Sequence, residues 1–155
     1  MDLSTSIVYQ HNYQDLRQRN PALEQRIREG LKDRDPMALL QELKSEIHFT
    51  ELAEVMGATY YLAEVVLPRA AQIKIGDDVL YSGEGHPYLR GQRVCVVAVH
   101  KGYYDDPDAS VIVQDNAALA AAGGVTLADM VEVAPYVGDR VSFIASDARP
   151  EELSK

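Results

Sequence analysis

The apolar residues of this chain change their spacing once, between Pro68 and Ile73. Before that point they recur every three to four residues, as on one face of a helix; after it they fall in short runs with a period of two, as on a strand. A chain so patterned builds helices first and a sheet second, which places it in the α+β class. The expected organisation is a helical region over residues 1–70 with three helices, followed by a small β-barrel of SH3-like type over residues 71–155. At 155 residues such a chain buries roughly two-thirds of the surface its unfolded form exposes, so it needs no covalent staples.

Two helix starts are written locally, at Asn20-Pro21 and Asp35-Pro36. Asn and Asp side chains accept from the first free N–H groups of a helix, and Pro at the first helical position has no N–H to lose and a φ already suited to the helix. Leu23, Ile27 and Leu31 form the stripe of the first helix; Met37, Leu40, Leu43 and Ile47, widened by Leu39, form that of the second. A third helix is expected over residues 50–67, ended by Pro68. One of its faces holds Phe49, Leu52, Ala53, Met56, Tyr60, Ala63 and Leu67, the other Val55, Leu62, Val65 and Val66. Two apolar faces imply a helix packed on both sides, one of them against another domain or subunit. Upstream, Ile7-Val-Tyr-Gln10 reads as a short edge strand or ordered arm.

In the second half, Ile73, Ile75, Val79 and Tyr81 read as an entry strand pair around Gly76-Asp77. Val94 to Val99, Ser110 to Gln114 and Arg140 to Ala145 read as further strands. An alanine-rich helical turn over residues 116–124 takes Asp115 or Asn116 as its cap. Residues 125–133 carry both signals: Thr126 and Asp129 have capping-box spacing, while Met130, Val131 and Val133 favour a strand, which we place at Asp129 to Val133.

The one cysteine, Cys95, cannot form an internal disulfide and sits in an apolar run where a small buried role is expected. No apolar run approaches the roughly 20 residues that cross a bilayer, and the first residues lack the basic start and apolar core of a secretory signal. A reducing, cytoplasmic setting without membrane contact is therefore expected. The net charge of −9 is uneven: residues 1–72 carry 8 basic and 11 acidic side chains (−3), residues 73–155 carry 7 and 13 (−6). Such a surface repels phosphate backbones, which disfavours nucleic acid as a partner and leaves a basic protein partner open.

Chemistry-bearing residues crowd into two turns between Ile73 and Val113. His86, His100, Asp105, Asp106 and Asp108 would suit a divalent cation if the turns met, with His86, His100, Asp105 and Asp108 the candidate ligands, but their spacing fits no established metal motif. No cofactor-binding signature is present. Ser82-Gly-Glu-Gly85 is a turn rather than a phosphate cradle, and no nucleophile is paired with a base.

Residues 73–113, with Ile73-Lys-Ile-Gly-Asp-Asp-Val79, His86-Pro-Tyr-Leu-Arg-Gly91, His100-Lys-Gly102, Pro107-Asp108 and Ser110-Val-Ile-Val113, resemble the barrel of the nitrile hydratase β-subunit family. Lys101 splits the family's His-Gly pair, and the chain has no Trp where the family ends in Leu-Trp-Gly. The resemblance implies an SH3-like barrel and, as one alternative function, an accessory or β-like subunit of a nitrile hydratase-type enzyme whose metal is held by a partner chain.

The residues themselves favour a different function, a non-catalytic interaction, assembly or regulatory protein of bacterial or phage type. Tyr81, Tyr88, Arg90, Tyr103 and Tyr104 would form its contact surface, because Tyr and Arg combine apolar area with directed hydrogen bonds. Another protein is the expected partner, within a homo- or hetero-oligomer. Single-stranded nucleic acid, stacked on the same rings, is the remaining alternative.

Overall fold

Asn20 and Asp35 do what their positions require: Asn20 Oδ1 accepts from Leu23 N at 3.2 Å and Asp35 Oδ1 from Ala38 N at 2.8 Å. They open α2 (Pro21–Gly30) and α3 (Pro36–Leu43). The computed structural model describes residues 3–155 and divides into two units, one up to Val66 and one over Leu67–Lys155.

The first unit holds one helix more than the spacing of its apolar residues predicts. Residues 7–10, expected as an edge strand or arm, lie inside α1 (Leu3–Arg19). This helix has almost no amphipathic bias of its own and packs along α4 (Leu52–Tyr61). Tyr9 stacks on Tyr60 at 6.4 Å and Tyr13 tilts against Tyr61 at 5.8 Å. Gly57 permits the approach: a Cβ there would collide with the Asn12 amide and stand 2.9 Å from Tyr9 Cδ1. Beneath these rings the Tyr13 hydroxyl donates to Glu24 Oε1 at 3.0 Å, and Arg28 Nε lies 3.1 Å from the same oxygen.

The expected third helix is a composite. A 3-10 turn (Phe49–Glu51) leads into α4, a π-helical turn follows over Leu62–Val66, and α5 (Leu67–Ala71) continues with Pro68 in its first turn, so Pro68 does not end the helical run. Its buried face is the smaller of the two expected: Val55, Leu62 and Val66 are in the core, whereas Phe49 and Met56 are exposed.

The second unit is a seven-stranded, open antiparallel sheet, so the helix-then-sheet order of an α+β chain holds while the sheet does not close on itself. Its strands are β1 (Asp78–Tyr81), β2 (Arg93–Lys101), β3 (Val111–Val113), β4 (Met130–Val137), β5 (Arg140–Val141), β6 (Ser146–Ala148) and β7 (Leu153–Ser154). The main path runs β5-β4-β2-β1-β7, with β3 also on β2 and β6 also on β4. Residues 73–77 form a turn rather than half of a strand pair, with Gly76 at φ 95°. Residues 142–145, expected to extend the strand begun at Arg140, lie outside it.

A bulge between Val96 and Ala98 resets the alternation of β2 against β4, so that Val94 and Val96 before it and Val99 after it all reach the core. They meet Val79, Tyr81, Val131, Val133, Ala148 and Leu153 there. Helix α6 (Asn116–Ala121) is capped by Asp115, which accepts from Ala118 N at 2.9 Å, and ends at Gly123 and Gly124, both at positive φ. Asn116 is thereby free to pair with a backbone as a neighbouring strand would. Its amide accepts from Ile75 N at 2.8 Å and donates to Ile75 O at 3.0 Å.

The mixed signal over residues 125–133 resolves into both of its parts. Thr126 N donates to Asp129 Oδ2 at 2.8 Å and Asp129 N to Thr126 O at 3.1 Å, closing a turn, and β4 begins at Met130. No helix among the described residues is long and apolar enough to cross a membrane.

Candidate interaction rim

Strand β6 and the residue after it contact two turns that lie on either side of β2 in the sequence. The first turn leaves β1 at Tyr81 and returns at Gly91, whose N–H donates to Tyr81 O at 2.9 Å and whose φ is 78°. Leu89 anchors it from below, buried at the end of a 3-10 turn (Pro87–Leu89). His86, just before that turn, places Nε2 2.9 Å from Asp147 O and 3.0 Å from Asp147 Oδ1. Its ring sits tilted to Tyr81 at 6.0 Å and edge-on to Tyr88 at 5.8 Å. Tyr88 is 63% exposed, yet its hydroxyl is 2.9 Å from Ser146 Oγ.

On the other flank of this turn, Ser82 N and Oγ donate to Glu152 O at 2.9 and 3.1 Å. A Cβ at Gly83 would collide with the Glu152 carboxylate and stand 2.5 Å from the Tyr81 hydroxyl. A side chain there would force the Glu152 carboxylate or the Tyr81 hydroxyl to shift.

The second turn leaves β2 at Lys101 and is fixed by a buried carboxylate. Asp129, 1% exposed, accepts from Lys101 Nζ at 2.5 Å, Gly102 N at 2.8 Å and Thr126 N at 2.8 Å. Lys101 Nζ also donates to Gly124 O. A buried charge is tolerated when paired and fully hydrogen-bonded, as this one is. The turn then carries Tyr103 and Tyr104, edge to face at 5.3 Å. Tyr104 N donates to Ala128 O at 2.9 Å, and the Arg149 guanidinium lies 4.0 Å from the centre of its ring. Burial pushes the Tyr104 phenol up to about 12, against the opposing pull of Arg149.

Of the five residues expected at the contact surface, four are accessible and one is not. Tyr88 and Arg90 are exposed, Tyr103 and Tyr104 are half-buried, and Tyr81 is a core residue at 1% exposure, its phenol pushed upward by that burial. Tyr81 fails as a contact because the second and fourth positions of the four-residue β1 face inward.

The four candidate metal ligands do not converge: no three His, Cys, Asp or Glu side chains form a group among the described residues. His86 is engaged by Asp147. His100 Nε2 lies 3.2 Å from Glu132 Oε2, at ion-pair distance without hydrogen-bond alignment, and Asp105 and Asp108 are exposed. Asp106 is used locally, its Oδ1 accepting from Asp108 N at 3.1 Å. Cys95 is buried and unpaired.

Ser146, Asp147 and Arg149 are the residues that sequence reasoning missed. Their role depends on contacts between residues 45 to 61 positions apart, Arg149 with Tyr104, Ser146 with Tyr88 and Asp147 with His86, which the pairing of β6 with β4 makes possible. The one local trace is a polar Ser-Asp between apolar runs. No family model matches the chain, and no curated protein or solved structure matches it.

Proposed function

We propose that this chain is a non-catalytic interaction or assembly protein, and that the second unit, read as a variant of the SH3-like barrel, docks a protein partner on the rim formed by Tyr88, Tyr103 and Tyr104. The observation that carries this reading is Tyr88, a large side chain left 63% exposed and yet tethered through its hydroxyl to Ser146. An exposed aromatic that is already ordered forfeits less freedom on binding, which is how preorganised contact residues gain affinity.

Arg90 and the carboxylates of Asp105, Asp106 and Asp108 are exposed in the same two turns, and that of Asp147 is exposed in β6. Their excess of negative charge suits a partner face that presents Lys or Arg. Arg149 over the Tyr104 ring supports the same chemistry, since it is a guanidinium accepted within the rim itself. His86 in the first turn and His100, which lies in β2 rather than in a turn, each stand at ion-pair distance from one carboxylate, an arrangement that assigns no nucleophile.

Affinity purification of the full chain from its native host, beside Tyr88→Ala and Tyr103→Ala variants, tests the reading. A co-purifying protein that is lost with either substitution supports it. Retention of every co-purifying protein by both variants overturns it.

A further inference from the structure

Strand β2 is covered along one edge by β4 and along the other by two strands set end to end, β1 on residues 93–95 and β3 on residues 99–101. Beyond β1 the sheet continues, because β7 pairs with Leu80 and Tyr81. Beyond β3 it stops. Among the described residues β3 pairs with β2 alone, and no hydrogen bond from a turn, a cap or a side chain reaches Val111, Ile112 or Val113. The outer row is therefore filled beside β1 and vacant beside β3. The vacant edge is also undefended. Native edge strands discourage pairing with a charged side chain, a proline or a bulge. The outermost strands of the main path follow that rule, β5 with Arg140 within it and β7 with Lys155 directly after it. By contrast β3 is Val-Ile-Val, with Val111 62% and Ile112 57% exposed. Successive side chains of a strand point to opposite faces, so a strand added to this edge offers each of these two an apolar neighbour on its own face.

We infer that this edge accepts a strand from a partner protein, and that the strand carries Lys or Arg on either side of its apolar residues. Charge selects that occupant. Residues 105–115 hold four aspartates, Asp105, Asp106, Asp108 and Asp115, and no basic residue, so β3 lies between carboxylates on both sides. All four are exposed, and the ion pairs of this unit engage other carboxylates, those of Asp77, Asp129, Glu132 and Asp147. A second copy of β3 laid on this edge brings aspartates against aspartates in either strand direction, which disfavours pairing of identical chains. A basic strand meets attraction at both ends. Main-chain hydrogen bonds along the edge then supply affinity, and the flanking charges select the partner. This inference deepens the function proposed above and rests on it only for the partner being a protein with basic residues; it adds the form in which that partner docks, an extended segment.

Amide hydrogen exchange of the full chain, read residue by residue by nuclear magnetic resonance, tests the inference with a defined probe, the peptide acetyl-Lys-Lys-Val-Thr-Val-Thr-Val-Lys-Lys-amide. Saturating peptide is expected to slow exchange within β3 by about tenfold or more, because amides that face solvent acquire acceptors. The same peptide with Glu in place of every Lys is expected to leave β3 unprotected. Asp105 and Asp108 take no part in capping through their carboxylates, so both can be replaced without loosening the turn. The Asp105→Lys, Asp108→Lys double variant is expected to lose the basic peptide and gain the acidic one, a reversal that a folding defect would not give. Unchanged exchange at Val111, Ile112 and Val113 with the basic peptide overturns the inference, as does equal protection by both peptides in the wild type. Protection confined to the surroundings of Tyr88 and Tyr103 overturns it while supporting the rim. Protection of β3, together with a native partner retained by Tyr88→Ala and Tyr103→Ala, supports it and overturns the rim.

Discussion

The Tyr88 hydroxyl stands 2.9 Å from Ser146 Oγ, a contact between residues 58 positions apart. It joins the tip of one turn to β6, the strand whose next residue, Asp147, receives His86 from the same turn. The rim is therefore built by β6 as much as by the turns that display its rings. Ser146→Ala removes the tether and leaves the core untouched. A hydrogen bond between exposed side chains contributes on the order of 1 kcal/mol or less, so the urea midpoint is expected to move little. The Tyr88 ring is expected to gain mobility, read as a drop in its nuclear magnetic relaxation order parameter, and affinity for the captured partner is expected to fall several-fold. An unchanged order parameter would show that Tyr88 is held by something other than Ser146.

Asp129 is the opposite case, a charge inside the fold. Replacing it with Ala leaves the Lys101 ammonium, Gly102 N–H and Thr126 N–H without their acceptor in a site where the Lys101 side chain is only 17% exposed. Breaking a buried pair from one side costs about 3–5 kcal/mol. Asp129→Ala is expected to lose that much stability in equilibrium denaturation, and Lys101→Met combined with Asp129→Leu to lose distinctly less, because the second pair leaves no charge behind. Equal losses would mean that the ammonium is not the group that suffers.

Gly57 tests the helical unit. In an exposed helix Gly→Ala gains about 1 kcal/mol from propensity. Here the added carbon meets the Asn12 amide, which can swing aside, and the Tyr9 ring at 2.9 Å, which is stacked on Tyr60 and is harder to move. Overpacking of this kind costs about 1–3 kcal/mol. Gly57→Ala is expected to lower the thermal midpoint modestly and Gly57→Val severely, followed by far-UV circular dichroism. A more stable Ala variant would mean that α1 and α4 are less tightly apposed than described.

The two capped starts at Asn20 and Asp35 were legible because a cap is complete within four residues of local sequence. Helix α1 was not legible. Ile7-Val8-Tyr9 has strand-forming composition, and what makes it helical is the fit of Tyr9 and Tyr13 against α4, some 50 positions away. The rim divides in the same way. Tyr88 follows Pro87 in a turn and could be read as exposed, but which face of a four-residue strand Tyr81 occupies depends on the register that sets Val79 opposite Val94 and Tyr81 opposite Leu153, and sequence spacing does not carry that register. The bulge at Val96 hides the inward set of β2 for the same reason: a strict alternation would send Val99 outward.

Tyr104 gives the pH prediction. A free phenol titrates near 10, and in the folded chain Tyr104 is raised to about 12, chiefly by burial. Below pH ~10 both folded and unfolded chains hold this proton, and Tyr104 contributes no pH dependence. Between about 10 and 12 the unfolded chain releases it while the folded chain retains it. The unfolded state then binds fewer protons, so stability falls as pH rises through that window. Tyr104→Phe removes this group and is expected to flatten the alkaline limb of the stability profile relative to wild type. Tyr81, also raised by burial, keeps its share of the slope in both proteins, so only the difference between them reports on Tyr104. Arg149→Met acts in the other direction. Loss of the guanidinium that favours the phenolate pushes Tyr104 higher still and steepens the limb. Urea denaturation midpoints of the three proteins, taken from neutral pH to pH 12, measure both effects, and superimposable wild-type and Tyr104→Phe profiles would place the Tyr104 hydroxyl in solvent.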